Sequence, residues 1–195
     1  MEASKDSVVK NEIIDSAQKL FKQFGLKKTT MDEIASACGK AKSTLYHYYK
    51  SKEEVFDDVL SKEMLGLRIL VDKNVKQKKT LHDKLKMYFE IFHKEALNKL
   101  NLYRILKQEI QAEFINTNRF SDVIMFETNY VQNMLLEGVK KGEFTNVKEE
   151  DIGLYSEVIV VAFLGLVRYS VERDGEFEIE NLRKITDILI PRVFT

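Results

Sequence analysis

Residues 29–52 run Thr29-Thr30-Met31-Asp32-Glu33-Ile34-Ala35-Ser36-Ala37-Cys38-Gly39-Lys40-Ala41-Lys42-Ser43-Thr44-Leu45-Tyr46-His47-Tyr48-Tyr49-Lys50-Ser51-Lys52. Thr30 can cap a helix, and Glu33 three places on completes a capping box. That helix buries Ile34, with Ala35 and Cys38 beside it. Gly39 turns the chain into another short helix, about Lys42 to Lys50. Ser51 with Glu54 forms a second box and starts a long fourth helix carrying Val55, Phe56, Val59, Leu60 and Met64. A short helix, a glycine turn and a second short helix predict a helix-turn-helix. The second helix of such a unit enters the DNA major groove and meets base edges near its N-terminus.

The helical wheel tests this. With Leu45 at the origin, Tyr49 falls about 40° away, so these two define the buried side. Ser43 and His47 lie at about 160° and 200°, with Tyr46 and Thr44 on the flanks. The outward face is hydrogen-bonding and compact or flat, where a merely solvated helix would favour Glu and Lys. Lysines stand at the ends instead: Lys40, Lys42, Lys50 and Lys52. Base contacts specify and phosphate contacts position, and this layout supplies both. Lys52 in the first turn of a helix opposes the helix dipole, so it is poorly placed for helix stability and well placed for an anion. Residues 27–52 hold six lysines against Asp32 and Glu33, while the whole chain is neutral, with 31 basic and 31 acidic residues. Any nucleic-acid face is therefore a local patch.

Outward from this stretch the pattern stays helical. Upstream, Ile13, Ala17, Leu20, Phe21 and Phe24 make one stripe on a first helix from about Val8 to Phe24. Downstream, amphipathic stretches fall near 80–98, 101–115, 118–141, 149–173 and 178–193. Gly25, Gly39, Gly142 and Gly175 each follow a helical pattern. One proline and eight glycines in 195 residues are far below the roughly ten and fourteen that average usage gives. The expected fold is all-α, about nine helices, with a three-helix DNA-binding domain over 1–50 and a larger helical bundle over 51–195.

Several classes are excluded. Cys38 is the single cysteine, so no internal disulfide and no Cys-x-x-Cys metal or redox site exists. His82 and His93 stand three helical turns apart, too far to share a metal. No glycine-rich phosphate loop, Gly-x-Ser-x-Gly or His-Glu-x-x-His is present, so no enzyme, metal site or cofactor is expected. The longest unbroken apolar run, Val158 to Val167, is shorter than the roughly eighteen residues a bilayer crossing needs. The N-terminal residues lack a signal core, which makes the cytoplasm the expected location.

Thr29 to Ala35, Gly39 and Ser43 to Glu54 together resemble the N-terminal domain of the tetracycline-repressor (TetR) family. Glu137-Gly138-Val139-Lys140-Lys141-Gly142-Glu143-Phe144 resembles a helix end common in that family. Tyr49 stands where phenylalanine is usual there, adding a hydroxyl that must find a partner or reach solvent. Lys40-Ala41 replaces a more common Val-Ser. The resemblance implies DNA contacts at Thr30, Lys42, Ser43, Tyr46, His47, Tyr48 and Lys52. The wheel points independently to Ser43, Tyr46 and His47, and Lys40 and Thr44 join the candidate set from the same layout.

The resemblance also implies that the C-terminal helices bind a small effector and pair two subunits. Val158 to Val167 is apolar on every side, and a monomer's surface helix has a polar face. This helix must therefore be covered, by its own subunit or by a second copy. A two-fold dimer would use Val161, Leu164, Gly165 and Arg168 with Ile185, Ile188 and Leu189. Candidate effector residues are Phe89, Phe92, His93, Tyr103, Phe126, Glu127, Tyr130, Met134 and Phe163. Tyr88, Met125 and Tyr169 lie nearby on the expected inward faces. Such stripes also suit a plain core, and Glu127 and His93 also suit an internal polar pair. An effector held there would be apolar or aromatic. The expectation is thus a homodimeric, effector-released regulator, a repressor, on a near-palindromic duplex operator. The rival is a helical module whose basic patch meets an acidic protein or a membrane surface.

Overall fold

The computed structural model describes residues 5–98, 117–172 and 179–194. The expected helix over 101–115, with Tyr103, and the expected stop at Gly175 lie outside the described residues. Those described form eight α-helices and no strand: α1 Lys5–Phe24, α2 Met31–Ala37, α3 Lys42–Tyr48, α4 Lys52–Val75, α5 Leu81–Asn98, α6 Thr117–Lys140, α7 Ile152–Glu172 and α8 Ile179–Phe194. A 3₁₀ turn over Glu149–Asp151 leads into α7. The chain divides into two compact units, Met1–Gly66 and Leu67–Thr195, and the division falls within α4.

In the first unit the core is Ile13, Ala17, Phe21, Ile34, Leu45, Val55, Phe56 and Val59, all essentially inaccessible. Phe21 and Phe56 meet edge to face at 5.3 Å, which is why the start of α4 belongs to this unit. Phe24, expected in the α1 stripe, is half exposed, because α1 ends there and the chain turns away at Gly25. The Thr30 capping box forms as the sequence predicts: Glu33 N donates to Thr30 Oγ1 at 3.2 Å and Thr30 N to Glu33 Oε2 at 2.8 Å. Gly39 takes φ 64° between α2 and α3, a left-handed conformation that suits glycine. At the α4 start only half of the expected box closes. Glu54 N donates to Ser51 Oγ at 3.3 Å, but Glu54 Oε2 accepts from Lys50 N, one residue earlier.

In the second unit α5 packs against α6, α7 and α8, and α6 lies along α7. Leu81, Leu85, Val131, Leu135, Ile152, Val160, Val167 and Leu182 fill the interior. The segment after α6 is a structural junction. Gly142 takes φ 71°, Glu143 N and Phe144 N return to Gly138 O, and Glu143 Oε2 accepts from Leu81 N at 2.7 Å at the start of α5. Phe144 then lies 5.0 Å from Phe194. Bidentate Arg183–Glu90 and Lys86–Asp187 pairs join α8 to α5.

The helical stretch Glu149–Ser170 is long and apolar enough to cross a membrane by length and composition, with mean hydropathy 1.6 over its best window. The unbroken apolar run within it, Val158 to Val167, ends at Glu157 and Arg168. The same helix packs its Ser156, Val160, Phe163 and Val167 row into the bundle.

Candidate functional site

α3 is held by Leu45, fully buried, and by Tyr49 just beyond its end. Tyr49 is extended at φ −140°, which stops the helix at Tyr48. Its extra hydroxyl finds a partner: it donates to Asp58 Oδ2 at 2.8 Å, and Lys10 Nζ pairs with the same oxygen at 2.8 Å while lying over the Tyr49 ring. Burial and the Asp58 carboxylate push the phenol well above its ordinary range. With α3 anchored on that side, Ser43, Tyr46 and His47 are exposed and Thr44 is half-buried. His47 packs edge to face on Tyr48 at 5.2 Å, and Tyr48 Oη donates to Asp6 Oδ1 at 2.9 Å. The outer face thus offers an imidazole, a phenol and a hydroxyl on one rigid turn.

The cations around this face differ in what they hold. Lys40 pairs with Glu12 at 2.7 Å and Lys42 with Asp32 at 2.7 Å, and these acids raise both ammonium pKa values. Such accessible pairs are weak, about 0–1 kcal/mol, so a phosphate can replace the carboxylate. Lys52 is different. Its ammonium donates to the carbonyls of Leu26, Lys27 and Thr29 at 2.8, 3.2 and 3.1 Å, which closes the α1–α2 turn onto the start of α4. Thr30 is exposed at the α2 cap, and Lys27, Lys28 and Lys50 are exposed nearby.

In the second unit, Phe89, Phe92, His93, Glu127, Met134 and Phe163 are buried, and Phe126 and Tyr130 are half-buried. Phe163 lies 4.7 Å from Phe89 and 5.7 Å from Phe92. Met125 is 60% exposed and Tyr169 46% exposed, so neither joins this cluster; both sit one helical step off the inward row. His93 Nε2 lies 3.2 Å from Ser170 Oγ, and burial lowers its pKa. Glu127 accepts from Tyr88 Oη at 2.7 Å; burial raises its pKa against the opposing effects of that hydrogen bond and of Arg68. A small cavity lies among Leu67, Arg68, Val71, Phe92, Phe126 and Tyr130, with room for little more than a water molecule.

Residues 13–59 match the family model for bacterial regulatory proteins of the tetR family. Over these residues the chain carries the DNA-binding domain of this TetR family. It is a DNA-binding transcriptional regulator and not an enzyme. Among curated relatives it is similar to the HTH-type transcriptional regulator YhgD of Bacillus subtilis, 26% identical, covering 81% of this chain and 82% of that protein. Among solved structures it is similar to a transcriptional regulator from Cytophaga hutchinsonii, 26% identical with TM-score 0.80, covering 95% and 98% of the two chains. FadR from Bacillus subtilis, solved in complex with stearoyl-CoA, shares the fold at 21% identity and TM-score 0.73, covering 90% and 94%.

In this TetR-family chain the apolar excess of α7 and α8 is only partly covered. Leu154, Val158 and Val161 on α7 and Ile188 and Leu189 on α8 are more than half exposed. Gly165 and Arg168 are exposed with them, and Leu164 and Ile185 are half-buried. Sequence reasoning missed Arg68, which lines the cavity, and Asp72, which bonds its Tyr130 wall. An arginine in a helix reads as a solvent residue unless its place one turn before Asp72, and one residue after the buried Leu67, is weighed.

Proposed function

We propose that this TetR-family regulator is a cytoplasmic homodimeric repressor whose two α3 helices occupy successive major grooves of a near-palindromic operator. The observation that carries the reading is the polarity of α3, with Leu45 and Tyr49 buried and Ser43, Tyr46 and His47 exposed. Ser43, Tyr46 and His47 meet bases, with Thr44 and Tyr48 at the edge of the contact. Thr30, Lys40 and Lys42 hold phosphates, the two lysines by exchanging Glu12 and Asp32 for the backbone. Lys52 serves DNA binding by fixing the turn that presents Lys27, Lys28 and Thr30. Half-sites stand about 34 Å apart or somewhat more.

The dimer forms through α7 and α8, using Val161, Leu164, Gly165, Arg168, Ile185, Ile188 and Leu189. The support is the row of exposed apolar side chains on a helix apolar enough to need cover. The effector is an apolar or aromatic molecule received among Phe89, Phe92, Phe126, Tyr130, Met134 and Phe163, with Glu127 and His93 as the buried polar groups beside them. The aromatic density of this core supports that reading, and a cavity this small implies that the walls part on binding. A ligand acts through differential affinity for two states, so the bound form must have the lower DNA affinity.

Selection from random duplex DNA tests the reading. An enriched inverted repeat supports it. Recovery of DNA without any common sequence would favour the basic module that meets an acidic protein or a membrane.

A further inference from the structure

The cavity of the second unit has one polar group left over. Tyr88 Oη donates to Glu127 Oε2 at 2.7 Å, and Tyr130 Oη donates to Asp72 Oδ1 at 3.0 Å. Each acid at the cavity thus already accepts from a phenol, and each phenol's proton is engaged. The two rings stack 5.5 Å apart at 24°, so they brace one another in this arrangement. Arg68 remains. Its guanidinium lies over the Phe126 ring, 3.1 Å from the centroid, and its buried Nε has no hydrogen-bond partner among the described residues.

A buried donor without an acceptor is costly, and neither Glu127 nor Asp72 accepts a hydrogen bond from Arg68 Nε. The guanidinium is held over Phe126, and its Nε–H is left without an acceptor there. Nε–H and a neighbouring Nη–H form a fork that matches the two oxygens of a carboxylate. The rest of the lining, Leu67, Val71, Phe92 and Phe126, is apolar or aromatic. What completes this site must therefore bring an acceptor at one end and an apolar body at the other.

We propose that Arg68 is the anion receptor of the effector site, and that the effector is an amphipathic carboxylate. Its head sits on the guanidinium edge and its body lies against Leu67, Val71, Phe92 and Phe126. This rests on the effector-responsive reading above and narrows it from an apolar molecule to an apolar acid. An organic cation paired with Glu127 fits less well, because it would sit beside the fixed charge of Arg68.

Calorimetric titration of the full-length protein tests the assignment. The probes are dodecanoate and 4-phenylbutanoate, their methyl esters, and dodecyltrimethylammonium, each below its aggregation concentration. At least one carboxylate should bind ten-fold or more tightly than its own ester. Arg68→Gln should abolish that preference, and Arg68→Lys should keep part of it. The comparison of acid with ester needs only the wild-type chain, so it stands even where Arg68→Gln fails to fold. The assignment is overturned by no binding of either carboxylate, by equal binding of acid and ester, by tighter binding of the ammonium probe, or by an acid preference that survives in folded Arg68→Gln. Failure to enrich an operator from random DNA would count against the regulator reading instead, and it is a separate measurement.

Discussion

The Lys52 ammonium donates to the carbonyl of Leu26 at 2.8 Å, twenty-six residues back along the chain. With the Lys27 and Thr29 carbonyls it satisfies all three donors, at the point where α1 gives way to α2. A cation that opposes the dipole of its own helix is thereby turned to a structural use. Lys52→Met should lower unfolding stability by about 1.5–3 kcal/mol, the range for hydrogen bonds to a charged group. It should also weaken specific and random DNA by similar factors. Urea unfolding checks the first and paired binding assays the second; unchanged stability would refute this role.

His47 is exposed on the outer face and touches Tyr48 rather than the core. His47→Ala should leave stability within about 0.5 kcal/mol, as for other surface substitutions, and change which bases are preferred in each half-site. Lys42→Ala should weaken all duplexes and reduce the salt dependence of binding. Identical base profiles for wild type and His47→Ala would remove His47 from the reading set.

Gly138 sits under Phe144. A Cβ at that position would stand 2.0 Å from Phe144 Cδ2, and Phe144 is buried against Phe194. Gly138→Ala should therefore cost roughly 1–3 kcal/mol through overpacking, although alanine is the better helix former. Differential scanning calorimetry would show it as a lower Tm, and pairing it with Phe144→Leu should recover part of the loss. A raised Tm in the single variant would contradict the close approach.

The exposed α7 row offers a direct handle on assembly. Val161→Glu, on a residue 53% exposed in one chain, should leave the fold intact and shift sedimentation from dimer to monomer at micromolar concentration. A wild-type chain that sediments as a monomer would end the proposed pairing through this face.

Glu127 makes stability depend on pH in a definite direction. Burial raises its folded pKa above the unfolded value, so the folded state holds the proton more tightly than the unfolded chain. Its contribution is fully present below the unfolded carboxyl range and is lost as pH rises through the folded pKa. Glu127→Gln keeps an acceptor for Tyr88 and removes this titration. Relative to wild type, the variant should gain stability as pH is raised from about 4 toward neutrality. A stability difference that is constant with pH would show that Glu127 titrates alike in both states.

Much of this was legible in the sequence because it depends on signals acting within one helical turn. The Thr30–Glu33 box, the left-handed Gly39 and Gly142, and the spacing of Leu45 and Tyr49 each act between residues a few places apart, and they placed α2, α3 and the outer face of α3. Tertiary packing decided the rest. Met125 faces outward despite its apolar side chain, Arg68 borders the core despite its charge, and Lys52 turns to three carbonyls. The placements of Lys52 and Arg68 depend on partners 23 to 58 residues away, such as Thr29 for Lys52 and Phe126 for Arg68. Side-chain periodicity carries no record of such partners, because it states which face a residue lies on and not what the folded chain brings against that face.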